Sequence, residues 1–143
     1  MRYSKLMILA FVIPVAIAGA ASCKKKPATK EEATKQIVSD IIDSCKAGKN
    51  EAAAKQYNDT LPDENKTGRS IDYSTSDGKQ KAERLCAEMN RRYSGGYEFG
   101  KMETKGDMIA WNVFPKGGNE GQLFAFKQEN GRWTIVDVDP AKR

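Results

Sequence analysis

The apolar residues of this chain change their period once, at Gly95-Gly96, and that change governs what the chain can fold into. Before the two glycines they recur at three- and four-residue steps, as on amphipathic helices. After them they alternate, as in strands. A run of helices followed by a run of strands is the pattern of an α+β domain with its helices gathered on an antiparallel sheet. The 143 residues leave room for one such domain.

The first helix opens at Thr29, whose spacing from Glu32 matches a capping box. Ala33, Ile37, Val38, Ile41, Ile42 and Cys45 then form one apolar stripe, which Gly48 ends. Asn50 caps a second helix over EAAAKQYNDTL, which stops before Pro62. Residues 62–78 are polar and turn-rich, a long connection with room for a short extended piece at Ser70 to Tyr73. Ser76 or Asp77 opens the third helix, with Ala82, Leu85, Cys86, Met89 and Tyr93 on its inner face. Cys45 and Cys86 both point inward, so they are either two buried thiols or a disulfide across a common core. Such a bond closes a loop of about 40 residues and contributes roughly 2–4 kcal/mol.

Four strands follow: YEFGKMET, DMIAWNVF, GQLFAFKQ and RWTIVDVD. Asn130-Gly131 is a two-residue hairpin signal. Counted from that turn, Phe126 faces Ile135, Ala125 faces Val136, Phe124 faces Asp137 and Leu123 faces Val138. Leu123, Ala125, Val136 and Val138 then share one sheet face, while Phe124, Phe126 and Ile135 share the other. Both faces are apolar, so both need covering. Helices cover one; the other is either closed by curvature within the monomer or covered by a second copy or a partner.

The amino-terminal end reads as an address. Arg2 and Lys5 precede an apolar run from Leu6 to Ala21, interrupted by Pro14 and followed by small residues. At about 16 residues the run is short of the roughly 20 that span a bilayer. We therefore read residues 1–22 as a signal peptide, 23–28 as a basic tether and 29–143 as the domain. The chain carries 24 basic and 19 acidic residues. Arg2 and Lys5 leave with the leader, so 22 basic residues face 19 acidic ones, a mild +3. That charge is no footprint for nucleic acid.

Ala20-Ala21-Ser22-Cys23 resembles the lipobox of bacterial lipoproteins, with alanine at position 20 where leucine is commoner. The resemblance implies cleavage before Cys23 and acylation of that residue. Two or more acyl chains make a lasting anchor, with Lys24 to Lys26 lying at the head groups. In that family an aspartate after the cysteine goes with inner-membrane retention. Lys24 stands there, which favours the outer membrane. The domain in turn resembles the nuclear-transport-factor-2-like superfamily, a cystatin-like α+β roll, and small lipoproteins of that fold. IVSDIIDSCKAGKNEAAAK and the terminal NGRWTIVDVD carry this likeness. It implies three helices packed on a curved four-stranded antiparallel sheet.

Chemistry is sparsely signalled. Histidine is absent, which removes Ser-His and Cys-His systems and the usual histidine-bearing zinc sites. The resemblance implies a Tyr-Asp pair as the remaining catalytic option. Asp137 and Asp139, two apart on a strand, are either an acid–base or calcium pair or a solvated strand end. Asp72, Asp77 and Gly78 lack the ligand pattern of a calcium loop. Lys79, Lys81, Arg84, Arg91 and Arg92 make the third helix basic, as an anion-binding face or simply a solvated one. The aromatic residues, Phe99, Trp111, Phe114, Phe124, Phe126 and Trp133 among them, either fill the core or line an apolar pocket. As pocket candidates we single out Tyr57, Tyr93, Phe99, Trp111, Phe124 and Phe126. The expectation is a non-catalytic domain that binds a small apolar ligand, needs no cofactor or metal, and belongs to the bacterial cell envelope. The alternatives are a subunit that dimerises or docks an envelope protein through Leu123, Ala125, Val136 and Val138, and an enzyme using a Tyr-Asp pair.

Overall fold

The computed structural model describes residues 28–143. The expected signal peptide, and Cys23 with the lysines that follow it, lie outside the described residues. The domain is α+β: helices α1 (Lys30–Lys46), α2 (Asn50–Thr60), α3 (Lys66–Arg69) and α4 (Ser76–Tyr93) precede strands β1 (Tyr97–Lys105), β2 (Met108–Pro115), β3 (Glu120–Glu129) and β4 (Arg132–Lys142). The strands form one antiparallel meander in the order β1-β2-β3-β4.

The expected capping box starts α1: Thr29 Oγ1 accepts from the Glu32 amide at 3.1 Å, and Glu32 Oε2 accepts from the Thr29 amide at 3.0 Å. Thr34, Val38, Ile41, Ile42 and Cys45 are its buried stripe. Helix α2 begins at its expected cap, one residue earlier than expected. Asn50 is its first helical residue, and Lys49 precedes it without a side-chain cap. The close packing of α2 comes from Ala53 and Ala54, both buried.

The connection after α2 departs from the expected loop. It holds a 3-10 turn (Asp63–Asn65) and the short α3, and it is pinned by one side chain. Asn58 Nδ2 donates to Ile71 O at 2.9 Å, and its Oδ1 accepts from the Ile71 amide at 2.7 Å. The side-chain amide thus satisfies both backbone groups of a buried residue, as a strand neighbour would. Ser76 opens α4, one of the two expected starts, and Thr75 before it is the cap, accepting from the Gly78 amide at 3.0 Å.

Cys45 and Cys86 form a disulfide between α1 and α4, with their Cα atoms 4.7 Å apart. Asn90 Nδ2 donates to Cys45 O at 3.2 Å beside it, so covalent and polar ties hold the two helices together. Helices meet sheet through Trp111, whose Nε1 donates to Thr34 Oγ1 at 2.9 Å within the core.

The sheet follows the expected register from the Asn130-Gly131 turn as far as Phe126↔Ile135 and then departs from it. A bulge lets β4 gain one residue on β3, so Ala125 pairs with Asp137, Phe124 with Val138 and Leu123 with Asp139. Paired residues share a face, and Phe124 is a core residue. Val138 therefore shares the face of Phe124, not that of Leu123 and Ala125. The bulge breaks up the expected four-residue apolar face. On the far face the chain covers Phe114 itself. The Arg143 guanidinium lies 4.7 Å from the ring centre and pairs with Glu98. Gly100 and Gly121 leave room on either side for the ring.

Tyr93 is fully buried, and its hydroxyl lies 3.3 Å from Val113 O and 3.0 Å from Gln122 Oε1. Burial pushes its pKa up to about 12, with Glu88 adding to the rise and Arg92 opposing it. Between pH 10 and 12 the unfolded chain loses this proton while the folded chain keeps it, so stability falls as pH rises. A rise of this size corresponds to roughly 1–3 kcal/mol by the top of that window. Partial burial raises Tyr97 as well, so the comparison must isolate Tyr93. Tyr93→Phe should flatten the alkaline fall between urea midpoints at pH 9 and pH 11. Equal falls in both proteins would contradict this.

Candidate functional site

Helix α1 presents Ala33, Ile37 and Asp40 on one strip, spaced by four and three residues. Helix α2 presents Gln56, Asp59 and Thr60 on another, spaced by three and one. Lys66 of α3 and Arg132 and Trp133 at the start of β4 complete an open cleft of about 560 Å³. Ile37 and Trp133 pack against the main core while remaining partly exposed, so they form an apolar floor. The rim is charged.

Arg132 explains the shape of the rim. Its Nη1 donates to Asp59 O at 2.5 Å and Leu61 O at 3.0 Å, carbonyls at the carboxyl-terminal end of α2 that no helical amide satisfies. A cation there also faces the negative end of the helix dipole. Arg132 Nη2 reaches Asp63 Oδ1 at 2.8 Å, and Lys66 Nζ reaches the same oxygen at 2.8 Å. Lys66, by hydrogen bond and charge, and then Arg132 hold the Asp63 carboxyl below its usual range. One arginine thus fastens β4 to the end of α2 and props open the cleft beside it.

The six aromatic candidates go elsewhere. Tyr93, Trp111, Phe124 and Phe126 are buried in the core, and Phe99 packs against it. Tyr93, Tyr97, Phe99 and Trp111 make a chain of edge-to-face contacts with ring centres 5.6–6.1 Å apart, a favourable aromatic geometry. Lys35 Nζ sits 4.4 Å from the Trp111 ring centre. These rings fill the interior instead of lining a hollow. Tyr57 packs on a second cluster of Ala54, Ile71 and Ala82 and lines two smaller grooves of about 350 and about 330 Å³.

Asp137 lines the smaller of these grooves with Tyr57, Val136 and Val138. The tyrosine and aspartate are therefore brought together, but no hydrogen bond joins them among the described residues. Asp137 instead accepts from the Val138 amide at 2.9 Å. Val138, 42% exposed, is a large hydrophobic left in solvent. Of the cations of α4, Lys81 pairs with Asp77, and Arg91 and Arg92 pair with Glu88. These three cations share two carboxylates, so only part of the helix's positive charge is offset along it. No group of three or more His, Cys, Asp or Glu side chains is placed to hold a metal ion among the described residues.

Trp133 is the aromatic residue that lines the cleft, and it was not among the six singled out. Its sequence signal was its place at the mouth of the Asn130-Gly131 hairpin, where a strand leaves the cover of the helices. Ile37 was legible only as part of the α1 stripe. Nothing in the sequence marked Asp40, Asp59 and Arg132.

No protein-family model matches the chain, and no curated protein matches it. Among solved structures it is similar to an NTF2-like protein of unknown function from Cytophaga hutchinsonii. The two are 18% identical, and the likeness covers 83% of this chain and 94% of the other, with a TM-score of 0.39. A likeness that loose carries neither site residues nor activity across.

Proposed function

We propose that the protein is a lipid-anchored component of the bacterial envelope, with the outer membrane favoured, whose domain binds a small ligand and catalyses no reaction. The observation that carries the ligand reading is the Trp133 cleft: a partly exposed indole and Ile37 form an apolar floor inside a polar rim, the composition of a small-molecule site. The absence of histidine from the chain, and the lack of a hydrogen bond between Tyr57 and Asp137, support binding over catalysis. Helices followed by a four-stranded meander support a nuclear-transport-factor-2-like domain of the cystatin-like roll type. The anchor rests on Cys23 and its flanking residues. Among the described residues no helix is long and apolar enough to cross a membrane.

Val138 favours a second reading, in which a partner or second copy docks along β4 across the groove that Val138 shares with Val136 and Tyr57. Native mass spectrometry of the protein released from envelope membranes separates the two. A small-molecule adduct is expected. A bare dimer would favour docking, and a bare monomer would contradict the ligand reading. Cys23→Ser should leave the protein in the soluble fraction, whereas retention in membranes would point to an uncleaved apolar helix instead.

A further inference from the structure

Resting on the reading of the Trp133 cleft as a ligand site, we propose that its ligand is an organic cation, a protonated amine carried on an aromatic or aliphatic body. The cations at the rim are already engaged. Arg132 donates to two carbonyls at the end of α2 and to Asp63, and Lys66 pairs with the same carboxylate. An incoming carboxylate would meet cations whose charge Asp63 already partly offsets.

The carboxylates of the rim are placed differently. Asp40 accepts one hydrogen bond, from the neutral amide of Gln36 at 2.5 Å. The carboxylate of Asp59 has no ion pair or hydrogen bond among the described residues. Asp63 balances only one of Lys66 and Arg132, so with Asp40 of α1 and Asp59 of α2 the charged groups of the cleft sum to −1. The face of an indole adds to that sign for a cation seated over it, because the ring quadrupole attracts positive charge there. The floor also favours a ligand with a carbon body over a bare inorganic ion, which would leave Ile37 and Trp133 in water.

The test uses the whole protein and three probes that share a phenyl body: 2-phenylethylammonium, 2-phenylethanol and 3-phenylpropionate. Binding is read from the resonance shifts of the Trp133 indole N–H and the Ile37 methyl groups. At low ionic strength the ammonium should bind about tenfold more tightly than the propionate, about 1.4 kcal/mol, with the alcohol between them. In 1 M salt, where the screening length falls to about 3 Å, the preference should shrink. The double variant Asp40→Asn/Asp59→Asn should abolish the preference. Propionate binding as tightly as the ammonium, or a cation preference that the double variant retains, would overturn the proposal. If the alcohol binds as well as the ammonium, the cation claim fails and the cleft stands as a ligand site. If no probe shifts Trp133 or Ile37, the cleft fails with it.

Discussion

Replacing Cys45 and Cys86 together with alanine should lower the unfolding free energy by about 4 kcal/mol, from the chain entropy that a bond across this loop removes from the unfolded state. The two cysteines are 41 residues apart and almost completely buried, at 1% and 3% exposure. The bond ties α1 to α4, and the Asn90–Cys45 hydrogen bond holds the same pair of helices without it. The folded variant should therefore keep its architecture, and the loss should lie largely in the unfolded chain. The urea dependence separates these cases: a less restricted unfolded chain exposes more surface, so its m-value should rise. Reductant should produce the same change in the unmodified protein. A loss below about 1 kcal/mol would show that the bond adds little to the stability of the pair.

The second large effect belongs to Gly121. A Cβ built there would lie 2.1 Å from Val113 O and 2.8 Å from Phe114 Cδ1. The first obstacle is the backbone of the neighbouring strand, so relief requires opening the β2–β3 ladder. The second is a ring held under Arg143, with little freedom to retreat. Gly121→Ala should cost about 3 kcal/mol or more, the upper part of the overpacking range. Gly68 is the control: a Cβ added there would meet nothing within 4 Å, and the residue sits in α3. Gly68→Ala should be neutral or stabilising by up to about 1 kcal/mol, since alanine suits a helix better than glycine. Similar effects from the two substitutions, measured by urea denaturation, would contradict the close packing of β2 on β3.

Local signals in the sequence carried much of this fold. The period change at Gly95-Gly96 separates Tyr93, the end of α4, from Tyr97, the start of β1. The Asn130-Gly131 pair predicted its turn because both positions need positive φ; they adopt 50° and 75°. Thr29 and Glu32 gave the start of α1. The inward pattern of Cys45 and Cys86 pointed to a shared core, and the structure joins them there.

What the sequence hid depends on distant contacts. The bulge in β4 has no mark in TIVDV, because Val136 and Val138 are both apolar and suit either face. One extra residue was enough to move Val138 away from Leu123 and Ala125. The aromatic residues looked alike in sequence, and only packing decided that Trp111 is enclosed while Trp133 stays at the edge. The cleft draws on three helices and a strand whose residues lie up to about 100 positions apart. Its rim depends on Arg132 meeting carbonyls at the end of α2, which is set by backbone position and leaves no trace in residue type.

The central claim is that a ligand occupies the Trp133 cleft, and native mass spectrometry of two proteins tests it directly. One is the protein as isolated from envelope membranes. The other carries Ala33→Trp, which fills the cleft from a partly exposed position on α1 and removes no core side chain. The account predicts a small-molecule adduct on the first and its loss from the second, with both unfolding at similar urea concentrations. An adduct that survives Ala33→Trp would place the ligand elsewhere and contradict the claim.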